Sequence, residues 1–283
     1  MKFQNLLLLL LAILSTNLYA QIEENTKYTA NNKGKFFISW GGNRGNYSKS
    51  DITFKGEHYN FTIKDATAHD VPKGYHIDYI NPTRMTIPQT NLKVGYFISN
   101  HYSIAFGVDH MKYVMNRNRT RVLNGFINFP EGDANEAFNA NFNDEEFFVS
   151  EDFLKFEHTN GLNYVSLAMN RHDDVSSLFH INDIDKIQVN MLEGIGAGLL
   201  YPRTNTTLLG NDRYDEFHIS GYGLSIDTGI NVTFFKYFFI EADLKGGYID
   251  MPDIRTTMDP ADSASQHFFF IERIISLGSK FRI

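Results

Sequence analysis

The stretch Tyr222-Gly223-Leu224-Ser225-Ile226-Asp227-Thr228-Gly229-Ile230-Asn231-Val232-Thr233-Phe234 decides the reading of this chain. Large or β-branched residues occupy one parity and Gly, Ser, Asp, Asn and Thr the other. A strand turns successive side chains to opposite faces, so one face suits hydrocarbon and the other a tight polar interior. The same alternation recurs on either side. Leu92, Val94, Tyr96 and Ile98 pass through Ser99-Asn100 to Tyr102, Ile104, Phe106 and Val108, which reads as a hairpin. A second tight connection near Lys236 joins the quoted stretch to Phe238, Ile240, Ala242 and Leu244, with Glu241, Asp243 and Lys245 on the opposite face.

The first twenty residues combine Lys2, an apolar run from Leu6 to Leu14 and the ending Leu18-Tyr19-Ala20. This reads as a signal peptide, residues 1–20, cleaved to leave 21–283 as a single barrel domain. No later segment approaches the roughly 18 continuous apolar residues of a membrane helix, so a closed sheet is the remaining way to span a bilayer. An exported soluble sandwich is the alternative. Cys is absent, which removes a disulfide framework and a lipid-modified cysteine. Loss of Lys2 takes the formal charge from −7 to −8, and no Lys/Arg run offers a nucleic-acid surface. Abundant Phe and Tyr fit strands and the aromatic girdles of a barrel.

Further strands are expected at about Lys35 to Arg44, Gly161 to Arg171, Ile187 to Tyr201 and Phe268 to Ile283. The fold expected is all-β: a transmembrane up-and-down antiparallel β-barrel of eight strands with both termini in the periplasm. Ten strands are possible, because Asp51 to Lys64 has strand-like content; it reads as part of a long first surface loop or an extension of the first hairpin above the membrane. The longer linkers at Arg117 to Phe156, Arg203 to Phe217 and Met251 to Gln266 should face outward and the short turns the periplasm. Glu193 and Arg273 break the outward apolar parity, which suggests a bulge or a strand end at each. The ending Leu277-Gly278-Ser279-Lys280-Phe281-Arg282-Ile283 resembles the C-terminal assembly signal of outer-membrane barrels, with Ile in place of the usual terminal aromatic. That resemblance implies the barrel assembly machinery as a partner during biogenesis.

Lys93, Asp109, Asp227, Glu241, Asp243, Lys245, Glu272 and Lys280 fall on inward parity. A salt-bridged plug is the first reading, since unpaired buried charge is costly and small barrels are filled by their own side chains. A narrow route for small solutes is the second. Glu157-His158-Thr159-Asn160-Gly161 resembles in part the His-x-Ser-Asn motif of eight-stranded lipid A deacylases, in which a His activates a Ser. Here the motif's Ser is missing. Ser166 lies roughly 26 Å further along the strand at 3.3 Å per residue, so His158 as base and Ser166 as nucleophile form a weak pair. His110 and Lys112 share an outward parity at the rim, where they snorkel or meet headgroup phosphates of lipopolysaccharide. His69-Asp70 and His172-Asp173-Asp174 contain metal-capable residues without a set of three or four at ligand spacing, and no cofactor motif is present.

Trp40-Gly41-Gly42-Asn43-Arg44, Ser50-Asp51-Ile52-Thr53-Phe54-Lys55-Gly56, Tyr59-Asn60-Phe61-Thr62, Gly107-Val108-Asp109-His110-Met111-Lys112-Tyr113-Val114 and Glu157-His158-Thr159-Asn160-Gly161-Leu162-Asn163-Tyr164 resemble a group of uncharacterised small outer-membrane barrels of Bacteroidota-type Gram-negative bacteria. The resemblance implies fold and location, and brings no activity with it. The expected function is that of a monomeric envelope protein, structural or binding a surface ligand or partner through its loops. A hydrolase of outer-leaflet acyl esters and a narrow channel are the alternatives.

Overall fold

The computed structural model describes residues 31–74, 76–80, 88–211 and 213–283; the expected signal peptide lies outside them. The strands are β1 (Phe36–Tyr47), β2 (Ser50–Lys55), β3 (Tyr59–Ala66), β4 (Ala68–His69), β5 (Thr90–Phe97), β6 (Tyr102–Met115) and β7 (Arg119–Ile127). They continue as β8 (Ala140–Val149), β9 (Leu154–Asp174), β10 (Ile187–Leu200), β11 (Asn205–Leu208), β12 (Gly221–Phe234), β13 (Phe238–Arg255) and β14 (Ser263–Phe281).

Eight of them close a ring in the order β1-β5-β6-β9-β10-β12-β13-β14, with β14 returning to β1 from Phe36↔Phe281 to Tyr47↔Phe270. Each neighbouring pair is antiparallel, as an up-and-down barrel requires. The wall is long enough to span a bilayer. From Tyr222 to Phe234 the outward face of β12 extends about 30 Å at 3.3 Å per residue and a tilt of about 40°. Most outward side chains between these ends are apolar and exposed, among them Leu224, Ile226, Ile230, Ile195, Leu167 and Ile275. Aromatic rings mark both ends: Phe36 with Tyr96 and Phe281 at 4.8 and 6.3 Å below, Tyr201 with Phe217 and Tyr248 with Phe269, each at 5.2 Å, above. This is the lipid-facing surface of an outer-membrane β-barrel.

The tight turns at Ser99-Asn100 and Lys236 lie at the same end as both described termini, as the alternation predicts. Neither of the expected features, a bulge or a strand end, occurs at Glu193 or Arg273. Glu193 stands in unbroken register between Arg171 and Thr228, and Arg273 between Arg44 and Leu244. Both charges therefore face outward on regular strands. Glu193 is accommodated because Arg171 is its direct cross-strand neighbour, and opposite charges at that position attract.

The segment Asp51 to Lys64 is the hairpin β2-β3, an extension above the membrane. β2 takes over from β1 beside β14, pairing Ser263 to Gln266 with Lys55 to Ile52. β3 then pairs with β7 and β7 with β8, so a four-stranded sheet rises from the wall. Opposite it stand the upper parts of β6 and β9, with β4 and β11 at their flanks. Phe54 meets Phe156 at 5.5 Å and Phe61 meets Phe153 at 5.5 Å, joining the two walls. A continuous apolar core of Ile52, Phe54, Phe61, Met111, Tyr113, Leu123, Phe156, Met251 and Phe268 fills the space between them. The linker around Pro130 to Asp144 has its own order, since β8 begins at Ala140.

Candidate functional site

The lumen holds all eight charged residues that the parity placed there. Lys93 Nζ lies 3.0 Å from Glu241 Oε1 and 3.5 Å from Asp243 Oδ2, and Lys245 Nζ lies 2.5 Å from Asp109 Oδ2. Asn91 donates to the second Asp109 oxygen at 2.6 Å and itself accepts from Asn43 at 2.8 Å. Glu272 is buried beside Asp109 and Lys245. Lower down, Lys280 donates to Thr233 and Asn231, and Asn231 donates to Glu241 at 2.9 Å. The Lys280 ammonium also lies 5.4 Å from the Phe239 ring and 5.7 Å from the Phe97 ring. His172 packs against Phe97 at 4.6 Å and bonds Ser103 at 2.9 Å, completing a floor of rings. A cavity of about 20 Å³ bordered by Lys93, Asp109, Asp227, Lys245 and Ser166 is room for about one water. Such an interior holds the wall in shape and leaves no open bore at that level.

Above the lumen, β9 carries extra residues relative to β6: Met111 pairs with Leu162, yet Tyr113 pairs with His158. Gly161, at φ +129°, supplies the backbone turn that an L side chain would resist. Because the bulge adds two residues it keeps His158 on the inward face, where it is fully buried between Tyr113 and Phe156 at 5.5 and 5.0 Å. Its Nδ1 is 2.9 Å from the Thr204 hydroxyl, supplied by the third outer loop. Gln266 adjoins the imidazole, donating to Tyr113 Oη at 2.5 Å and Ser50 at 2.8 Å. Burial pushes the His158 pKa down to about 3, so the ring is neutral at physiological pH. Ser166 is not brought to it: it faces the lumen, opposite Gly107 and Gly198.

His110 does face outward, as its parity predicts, but it is buried against the bulge and bonds Asn163 Oδ1 at 2.7 Å. Lys112 is half-buried near Asp70 and Lys73, and burial lowers its pKa. His69 bonds Asn116 at 2.6 Å, while Asp70 accepts from the Gly45 amide at 2.8 Å. His172 and Asp173 point to opposite faces. Among the described residues no group of three or more His, Asp or Glu converges on a metal position.

Two features were not legible as sites in the sequence. Glu157, nearly buried, accepts from Arg117 at 2.8 Å, Asn205 at 2.6 Å and Thr159 at 3.0 Å, beside a groove of about 500 Å³ that includes Val114 and Arg119. Arg44 and Arg273 stand side by side on the outer wall. Their partners lie tens to hundreds of residues away, so no local pattern announces them.

The fold and these sites define the class of a small outer-membrane β-barrel whose outer loops build a packed external module. No protein-family model matches the chain, and no curated protein sequence shows significant similarity to it. Among solved structures it is similar to OprG of Pseudomonas aeruginosa at 11% identity, covering 90% of this chain and 99% of that one, with a TM-score of 0.41. It is also similar to the Neisserial surface protein NspA at 12% identity, covering 89% and 98%, with a TM-score of 0.37. The attachment invasion locus protein Ail of Yersinia pestis gives 12% identity, 88% and 99% coverage and a TM-score of 0.34.

Proposed function

We propose that this chain is a monomeric, non-enzymatic envelope protein of a Bacteroidota-type outer membrane, exported by residues 1–20, that displays a rigid external module for binding a partner. The observation that carries this reading is the module's packed core. Loops that merely reconnect strands need no apolar interior, whereas these bury Phe54, Phe61, Phe156 and Leu123 completely. Ordering so many residues costs conformational entropy that the core offsets, and the result is a preorganised surface.

The outermost hairpin, β7-β8, is the contact surface. Val122, Phe126 and Phe148 are exposed on it, and Asp144, Glu145 and Glu146 are exposed along β8. Exposed aromatics beside charge mark an interaction surface, and this one suits a basic partner with apolar residues. The acids also keep the free β8 edge from pairing indiscriminately with other strands. The test uses purified protein in lipid nanodiscs on immobilised cationic, anionic and neutral polypeptides. Wild type should be retained on the cationic surface alone, and both Phe126→Ser/Phe148→Ser and Asp144→Asn/Glu145→Gln/Glu146→Gln should lose retention. Equal retention of all three proteins would overturn the assignment.

A second reading is favoured by one contact. The His158-Thr204 pair, with Nδ1 and Oγ1 at 2.9 Å, has the spacing of a base and a nucleophile for ester cleavage. Against it stands enclosure, because His158 is 0% and Thr204 3% exposed. Mass spectrometry of lipid A from cells expressing wild type, His158→Ala and Thr204→Val decides it. An acyl chain lost only with wild type would establish hydrolysis; unchanged lipid A with inserted protein supports the binding module.

A further inference from the structure

We infer that residues 175–186 and the Phe235-Lys236 turn form an apolar foot that sinks Leu178, Phe179 and Phe235 into the leaflet on the side of the short turns and binds phospholipid there. This surface lies at the end of the barrel away from the β7-β8 hairpin and does not depend on what that hairpin binds. Three connections close this end of the wall. The one at Ser99-Asn100 is tight and polar. Residues 175–186, between β9 and β10, make a longer excursion with a single 3-10 turn at Ser176–Phe179. Leu178 and Phe179 are both more than half exposed on it.

The connection between β12 and β13 adds to the same surface. The Tyr237 amide donates to the Phe234 carbonyl at 3.1 Å across Phe235 and Lys236, whose φ angles are +52° and +69°. A two-residue turn with both central residues left-handed ordinarily takes Asn and Gly, and an L side chain there costs energy. Phe235 gives the turn nothing in return, yet it stands exposed, with Tyr237 and Phe238 exposed beside it. Strain of this kind is kept where the side chain is used. The two connections are tied together: the Phe235 amide donates to the Lys186 carbonyl at 2.8 Å, and Lys236 Nζ lies 2.7 Å from Asp185 Oδ2.

Position and charge name lipid as the occupant. The foot continues the lipid-facing wall, since Ile187 and Phe238, the exposed outward residues that begin β10 and β13, stand directly above it. Val189, on the outward parity of β10, is 7% exposed, whereas Ile187 and Met191 on either side of it are 40% and 39%. The Val175 amide donates to the Val189 carbonyl at 2.9 Å and the Val189 amide to Ser176 Oγ at 2.9 Å, so the connection lies against the outer face of the wall and shields that side chain. The charges of the foot cancel, with Asp183 3.0 Å from Lys186 and Asp185 paired to Lys236. Exposed rings and aliphatic side chains with balanced charge suit the boundary between headgroups and acyl chains, where an interfacial apolar face sinks about 5–10 Å.

The experiment is tryptophan quenching, which the chain permits because Trp40 is its one tryptophan. In a Trp40→Phe background, Phe179→Trp and Phe235→Trp are reconstituted separately in phosphatidylcholine vesicles whose acyl chains are brominated near the headgroup, with Phe148→Trp on the external module as control. Brominated lipid should quench each foot reporter roughly twofold or more, as expected of a side chain sunk to the headgroup boundary, and acrylamide should leave it largely untouched. The Phe148→Trp control should show the reverse. Adding Leu178→Asp should lift the Phe179→Trp reporter out of the lipid and open it to acrylamide. A heat-dependent gel shift reports whether each variant is folded, and if Trp40→Phe does not insert, the reporters are read as differences from wild type with Trp40 kept. Foot reporters open to acrylamide and indifferent to brominated lipid overturn the foot. Reporters closed to both quenchers are covered by protein, which overturns the lipid assignment.

Discussion

Within the membrane and above it, the same strands enclose opposite interiors. On β14 the inward residues run Glu272, Ile274, Ser276, Gly278 and Lys280 in the bilayer, then Phe270, Phe268, Gln266 and Ala264 outside it. On β6 they change from Ser103, Ala105, Gly107 and Asp109 to Met111, Tyr113 and Met115, and on β9 from Asn170 and Ser166 to Leu162 and Phe156. The outward face inverts with them, from Leu167, Ile195 and Ile275 to polar and charged side chains. Solvent explains the inversion. Lipid rewards an apolar exterior and leaves the interior to paired charge, whereas water rewards an apolar interior. The wall is one sheet, but its two parts are stabilised by different forces and should fail in different ways.

The largest effects should separate them. Lys245→Leu leaves Asp109 and Glu272 buried without their cation, at a cost of about 3–5 kcal/mol. Its expected signature is earlier loss of the heat-modifiable gel band in urea. Phe54→Ala should cost a similar amount, about 3–5 kcal/mol, by opening a cavity in the module. Here limited proteolysis should cut β2-β3 and β7-β8 while the gel shift stays at the wild-type urea midpoint. If each variant loosened both regions equally, the two parts would be one cooperative unit and the comparison would fail.

Acid should act next, and on the module. The folded pKa of His158, about 3, lies below the ordinary value of 6.5, so the unfolded chain takes up the proton first. This position costs nothing above about pH 6.5 and destabilises progressively as pH falls towards 3, by about 1.4 kcal/mol per unit. At pH 5 that amounts to about 2 kcal/mol. The protection factors of the upper β9 amides, taken against the intrinsic exchange rate at each pH, should therefore fall between pH 7 and pH 5, and His158→Gln should flatten the dependence. An unchanged exchange profile would mean that the imidazole is not enclosed as described.

The smallest stability effect belongs to the contact surface. Phe126→Ser with Phe148→Ser removes exposed rings, so thermal stability should shift by less than about 0.5 kcal/mol per site even though partner retention is lost. A larger shift in calorimetry would make these rings structural. Conductance sharpens the same comparison from below, since the charge-filled lumen predicts silent planar bilayers.

The period-two pattern carried most of the barrel. Tyr222 to Phe234 is a strand with the expected faces, and Ser99-Asn100 is the expected hairpin, because side-chain alternation and a short turn are both local properties. The charges of the lumen could be named from parity alone, down to Lys93 and Lys280. Glu193 and Arg273 were misread because charge on an outward parity suggested a bulge, and only the neighbouring strand shows what lies beside it. The bulge that does exist, at Gly161, was hidden for a related reason. It compensates a mismatch between β9 and β6 and has no meaning on β9 by itself.

Sequence alone thus determined the class of wall, its pattern of eight strands and the content of its lumen, since all of these follow from which residues alternate and where turns fall. The tertiary structure decided that the outer segments pack into a module, that His158 meets Thr204 across 46 residues, and that Arg44 stands opposite Arg273. Those outcomes depend on strand register between distant segments. A shift of one residue would turn every such pair to the opposite face, and register is set by the whole closed sheet.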